Sequence, residues 1–175
     1  MTDLSIDLAA HVRSIPDFPK PGILFYDIMP LLQNPVALRE AVDRIIEYGT
    51  AKHVDIVLGA EARGFILGPA VAYGLGAGFV CARKPGKLPF TTITAEYDLE
   101  YGTDRLEIHS DAIQPGQNVL IHDDLLATGG TAKAKIQLVE KLGGNVVGCA
   151  FVVELEDLAG RDHIGDYDVV SLLRY

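Results

Sequence analysis

Residues 119–132 read V-L-I-H-D-D-L-L-A-T-G-G-T-A. Four chemically distinct parts follow one another: an apolar run of strand character, the adjacent carboxylates Asp123 and Asp124, a loop of small residues, and a helix start. Ala127, Thr128, Gly129, Gly130 and Thr131 would bring several backbone N–H groups and two hydroxyls to the helix N-terminus. First-turn donors have no intrahelical partner and the dipole favours negative charge, so this is an anion site. The glycines let the backbone approach a phosphate closely. It is not a Walker loop, because no G-K-[ST] follows and Lys133 stands two residues after Thr131. Asp123 and Asp124 would repel a phosphate at contact, but each carboxylate accepts hydrogen bonds from hydroxyls. A phosphate on the loop with vicinal hydroxyls about one sugar away describes a 5-phosphoribosyl group, and negative charge beneath the ring stabilises a cationic sugar transition state. A solvated acidic turn would not need all four parts together at the carboxyl end of a strand, where ligands of open α/β sheets collect. A fold is not expected to need a carboxylate pair at such a crevice.

The elements that must position this run alternate along the chain. Short apolar strands are expected at residues 54–58, 78–82, 118–122, 146–153 and 168–173. Residues 59–64 and 123–130 read as turns. Helices are expected at 65–73, interrupted early by Gly68 and Pro69, and at 131–142, stopped by Gly143 and Gly144. A further helix begins at Pro35 behind the cap residue Asn34 and carries Val36, Leu38, Ala41, Val42, Ile45 and Ile46 at helical spacing. Residues 4–14 read as a short amphipathic helix, after which Pro16, Pro19, Pro21 and Gly22 break regular structure. Two-sided apolar strands alternating with helices predict an α/β fold, a mostly parallel central sheet flanked by helices. Residues 83–102 break the rhythm with a long polar excursion, the mark of a functional lid or a hairpin.

Composition bounds the partners. The chain has 175 residues, 49% hydrophobic and 22% charged, which suits one globular domain over 1–175. Fifteen Lys and Arg against 24 Asp and Glu leave a net charge of −9, so neither nucleic acid nor an anionic membrane is an expected partner. No apolar run approaches the roughly 20 residues of a spanning helix. Residues 1–10 carry Asp3 and Asp7 and no basic stretch, so a secretory leader is not expected. Cys81 and Cys149 stand alone in apolar segments, which predicts reduced thiols and a cytoplasmic location. Gly74, Gly76 and Gly78 precede a strand rather than follow one, the reverse of a dinucleotide loop. A metal cluster at His122, Asp123 and Asp124 is disfavoured, since His122 and Asp123 point to opposite faces if extended. His11, His53, His109 and His163 define no metal spacing.

The D-D-L-L-A-T-G-G-T stretch at 123–131 resembles the phosphoribosyl-diphosphate motif of the type I phosphoribosyltransferases, in the form found in their adenine-specific branch. The likeness extends over nearly the whole chain, in order. P-D-F-P-K-P-G-I-L-F at 16–25 is similar to the family's base-binding segment, part of a small hood over 1–34. G-A-E-A-R-G-F at 59–65 is similar to its diphosphate loop, where a non-proline cis bond between Glu61 and Ala62 is frequent in this fold class. R-K-P-G-K-L-P at 83–89 and L-E-Y-G at 99–102 resemble its flexible catalytic loop, here 83–102. Two positions depart from the pattern: the family commonly has Arg where Tyr26 stands and an aliphatic residue where His122 stands.

The resemblance implies a purine-salvage reaction in which adenine and 5-phosphoribosyl 1-diphosphate give AMP and diphosphate with Mg²⁺. Residues 127–131 would take the 5′-phosphate, and Asp123 and Asp124 the ribose hydroxyls. Arg63 would take the diphosphate, its planar fork matching phosphate oxygens. Arg83, Lys84 and Lys87 would assist, and cations at these positions can reach across a dimer interface in the family, so a homodimer is expected. Leu24, Phe25 and Leu125 would wall a flat base pocket, with backbone groups around Phe25 and Tyr26 reading the adenine edge. Glu100 would move the base proton after loop closure, and Tyr101 would seal the site. Mg²⁺ prefers oxygen ligands and keeps several waters. It is expected on the diphosphate and ribose rather than on protein ligands, touching Asp123 at most through water. Two alternatives remain: a hypoxanthine or guanine transferase on the same scaffold, and a regulator that binds phosphoribosyl diphosphate without chemistry. The regulator would ordinarily need a nucleic-acid-binding domain, for which the length leaves no room. Arg63, Lys87 and Glu100 favour catalysis.

Overall fold

The computed structural model describes residues 6–99 and 102–175. Five parallel strands form the central sheet: β3 (Ile56–Ala60), β4 (Gly78–Ala82), β7 (Asn118–Leu126), β8 (Asn145–Glu154) and β9 (Val169–Arg174), in the order β4-β3-β7-β8-β9. The strand period sends neighbouring residues to opposite faces. Leu58 and Ile121 accordingly join a core with Ile136, Leu138 and Val139 of α4 (Gly130–Lys141). Val57 and Leu120 join one with Ile45 of α2 (Pro35–Thr50) and Val71 of α3 (Gly64–Leu75). Both faces of the sheet are covered, as the two-sided apolar strands require.

Asn34 caps α2 as its sequence position predicts: its side-chain oxygen accepts from the N–H groups of Val36 at 2.9 Å and Ala37 at 3.0 Å. Three expectations are corrected, and two short helices are new. Residues 6–16 are not an amphipathic helix. They hold one 3-10 turn at Ala9–His11 and then strand β1 (Arg13–Pro16), which pairs antiparallel with β2 (Leu24–Asp27). A helix that short is marginal alone, and the ladder to β2 satisfies the backbone instead. Helix α3 is not broken at Pro69, because Leu67, Val71 and Ala72 pack on either side of it. The strand expected at 118–122 runs on to Leu126, since β8 continues beside it with Asp123 opposite Phe151 and Leu125 opposite Val153. Two five-residue helices, α1 (Met29–Gln33) and α5 (Gly160–Ile164), were not foreseen.

The polar excursion resolves into a hairpin. Strands β5 (Thr92–Leu99) and β6 (Gly102–His109) pair antiparallel, and Ala95, Leu106 and Ile108 pack it onto the α4 side of the core. The hood, β1 with β2, forms a separate two-stranded sheet with no ladder to the central one. Among the described residues, no helix is long and apolar enough to cross a membrane.

Candidate active site

A cavity of about 330 Å³ opens at the carboxyl ends of β3 and β7, lined by Glu61, Ala62, Arg63 and residues 123–132. It gathers Arg63, Asp123, Asp124, Leu125 and the small-residue loop 127–131. Gly129, at the N-cap of α4, has φ 85° and no side chain caps the helix, so the first-turn N–H groups keep their capacity for an anion. The loop rests on α5: a Cβ at Gly129 would strike the Gly160 carbonyl oxygen, and one at Gly160 would strike that of Ala127. The peptide bond between Glu61 and Ala62 is cis.

The two carboxylates have different surroundings. Both lie in β7 and line the same cavity. Asp123 accepts a 2.8 Å bond from the Lys135 ammonium and a 3.1 Å bond from the Asp124 N–H. Lys135 is 0% exposed, and its ammonium also donates to the His122 carbonyl at 2.8 Å. The expectation that the fold has no use for this carboxylate pair is therefore corrected for Asp123, the partner of a buried charge. Asp124 instead meets Arg63, Oδ2 to Nε 2.7 Å. Burial pushes the Asp124 carboxyl well above the usual carboxylate range, the neighbouring Asp123 charge adds to this, and Arg63 opposes it. Gly64 leaves room for the arrangement, since a Cβ there would lie 2.7 Å from Asp123 Oδ1.

His122 lies in the core and not in the cavity lining. Its Nδ1 is 3.0 Å from the Ala150 carbonyl oxygen, which places the ring proton there, and its Nε2 is buried without a partner. Burial, the largest cause, lowers its pKa to about 4.

Among the described residues, none of the other expected ones lines the cavity. Phe25 sits over the Arg63 guanidinium, 5.4 Å from ring centroid to Cζ, with Leu24 exposed beside it. Tyr26 turns the other way and joins a core cluster that includes Leu125. Arg83 donates to the Glu61 carboxylate at 2.9 Å and 3.2 Å. Lys84 pairs with Asp104 on the hairpin at 2.9 Å. Tyr97 also donates to Asp104, at 3.2 Å. Asp104 therefore ties Lys84 to Tyr97 of the hairpin. Lys87 is exposed, and Glu100 and Tyr101 lie outside the described residues. Sequence reasoning missed Lys135, Gly160 and Asp104, and the pairing of Glu61 with Arg83. For Lys135 a signal was available: it falls between Ala132, Ile136 and Val139 on the apolar stripe of its helix.

A cleft at the carboxyl edge of a parallel sheet is where ligands of open α/β folds collect, and here it holds an uncapped helix start, two buried carboxylates and a cation. The family model for the phosphoribosyl transferase domain matches residues 30–173, and the chain belongs to that family. Within it, the chain falls among the adenine phosphoribosyltransferases. A relative of that name from Koribacter versatilis is 60% identical over 168 residues, 96% of this chain and 92% of the relative. The crystal structure of the Thermoanaerobacter pseudethanolicus enzyme has a TM-score of 0.93 at 49% identity, covering 96% of this chain and 98% of the other. That of the Saccharomyces cerevisiae enzyme, complexed with D-2,5-dideoxy-2,5-imino-altritol 1,6-bisphosphate and adenine, has a TM-score of 0.90 at 42% identity, covering 95% and 96%.

Proposed function

We propose that this chain transfers the 5-phosphoribosyl group from 5-phosphoribosyl 1-diphosphate to adenine, giving AMP and diphosphate in purine salvage. The observation that carries the reading is one cavity holding the uncapped start of α4, Asp123 and Asp124, and Arg63. The adenine in the yeast relative's complex supports the choice of base.

The 5′-phosphate sits on the N–H groups and hydroxyls of residues 127–131, where the helix dipole adds to the hydrogen bonds. Asp124, and the Asp123 oxygen that Lys135 does not hold, accept from the ribose hydroxyls. As the bond from the sugar to diphosphate breaks and the bond to the base forms, positive charge develops on the sugar, and these carboxylates stabilise it. Arg63 exchanges Asp124 for the departing diphosphate. Leu24, Phe25 and Leu125 hold the base flat, and backbone groups around Phe25 and Tyr26 read its edge. Arg83, Lys84 and Lys87 add positive charge near the diphosphate. Neutral adenine must lose a ring proton as AMP forms. Glu100 is the acceptor and Tyr101 part of the seal, once the 83–102 segment closes and excludes water.

Among the described residues, no three His, Cys, Asp or Glu cluster as a metal cage. The acidic floor of the cavity suits an Mg²⁺ ion carried by substrate oxygens, reached from Asp123 at most through water. When bound, Mg²⁺ neutralises charge on the diphosphate leaving group. A homodimer in the cytoplasm completes the reading.

Diphosphate release measured with adenine, hypoxanthine and guanine in turn tests it. Adenine is expected to be strongly preferred, since mispairing its amino edge costs about 1–3 kcal/mol per buried group. Comparable efficiency with hypoxanthine would move the assignment to another purine. No release with any base would leave a binding protein.

A further inference from the structure

Tyr175 has no part in the roles above, yet its ring stacks on that of Tyr26 with centroids 4.0 Å apart and planes 21° from parallel. Its backbone is fixed at the edge of the site. The Tyr175 N–H donates to the Glu154 carbonyl at 2.9 Å, and its own carbonyl accepts from the Glu156 N–H at 2.8 Å. Glu154 is paired in register with Leu126 of β7, one residue beyond Leu125. Tyr175 is therefore tied to the same end of the sheet as the cavity.

Strand β2 is held differently. Among the described residues its ladder runs to β1 alone, so backbone hydrogen bonding fixes the hood internally but not its distance from the sheet. That distance falls to side-chain packing. Alternation along β2 divides the work: Phe25 faces Arg63 across the cavity mouth, and Tyr26 faces Tyr175. A stacked pair has a preferred separation and tilt, so it sets a gap more narrowly than aliphatic contact does. Leu125, Leu155 and Leu172 pack in the same cluster and close it on the sheet side.

We propose that Tyr175 is a positioning residue for base recognition: by stacking on Tyr26 it holds β2 at the spacing from Leu125 that a flat purine needs. The ring does not touch the base. It acts through Tyr26, whose backbone and whose neighbour Phe25 meet the base. The inference rests on the reading that adenine binds between β2 and Leu125.

Four variants test it: Tyr175→Ala, Tyr175→Leu, Tyr175→Phe and Phe25→Ala, each assayed for KM of both substrates and for kcat. Losing one aromatic pair predicts that Tyr175→Ala raises the adenine KM about 2- to 10-fold. The phosphoribosyl diphosphate KM should stay at the wild-type value, and Tyr175→Phe should restore the adenine KM. Tyr175→Leu keeps apolar volume without a ring and should behave as the alanine variant does, which covers the case in which alanine fails to fold. An unchanged adenine KM in the leucine variant, with a raised one in Phe25→Ala, overturns the positioning role and leaves the base site standing. Parallel rises in both substrates' KM values overturn it in favour of a general packing role. An unchanged adenine KM in Phe25→Ala places the base elsewhere and overturns the proposal together with the site.

Discussion

Lys135 has no exposed surface, and its two hydrogen bonds decide how Asp123 is to be regarded. Removing one partner of a buried pair leaves an uncompensated charge, so Lys135→Met is expected to lower stability by about 3–5 kcal/mol. Urea unfolding reads that loss, and adding Asp123→Asn to the same chain should recover part of it. For the same reason, neutralising both aspartates is a poor probe of mechanism, because it strands the ammonium. Asp124→Asn is the cleaner variant: its partner Arg63 is partly exposed, so solvent takes over the lost contact. It should keep its unfolding midpoint while kcat falls on the order of a hundred-fold, as for loss of one preorganised electrostatic group. Wild-type turnover in a folded Asp124→Asn enzyme would remove that carboxylate from the chemistry.

At the scale of elements, the site is the junction of β7, the 127–129 loop and α4, with α5 beneath. Thr131→Val leaves helix propensity nearly unchanged but removes a hydroxyl from the proposed phosphate site. It should weaken AMP binding by about 1.5–3 kcal/mol, the worth of a hydrogen bond to a charged group, and calorimetric titration measures this directly. Gly129→Ala tests the loop's seat on α5. Its positive φ and the approach of the Gly160 carbonyl leave no place for a methyl group. The variant is expected to lose more than about 1 kcal/mol of stability and to bind AMP more weakly. Unchanged thermal unfolding would mean that the loop and α5 move apart at little cost.

Across the whole molecule, His122 links the buried sheet to pH. Its pKa is lowered from 6.5 to about 4 by burial, so the unfolded chain binds the extra proton first as pH falls. The stability this contributes is complete above pH 6.5, declines as pH drops toward 4, and levels off below. The shift corresponds to at most about 3 kcal/mol. His122→Val should flatten the decline of the melting temperature over that interval, and an unchanged slope would assign the acid sensitivity to the carboxylates. The same residue marks the boundary between local and long-range information. The alternating strands and helices, the cap at Asn34, the small-residue helix start and the opposite orientation of His122 and Asp123 follow from period and residue type over short stretches. The amino-acid sequence therefore determined the α/β class and most of the cavity lining. Folding alone decided that β7 runs through the carboxylates, because β8 lies beside it. The crossing of α4 over β7 brought Lys135 onto Asp123, and the gap between hood and sheet was closed by Tyr26 on Tyr175. Each of these contacts joins residues distant in the chain or set by the angle between packed elements, and no local pattern carries that geometry.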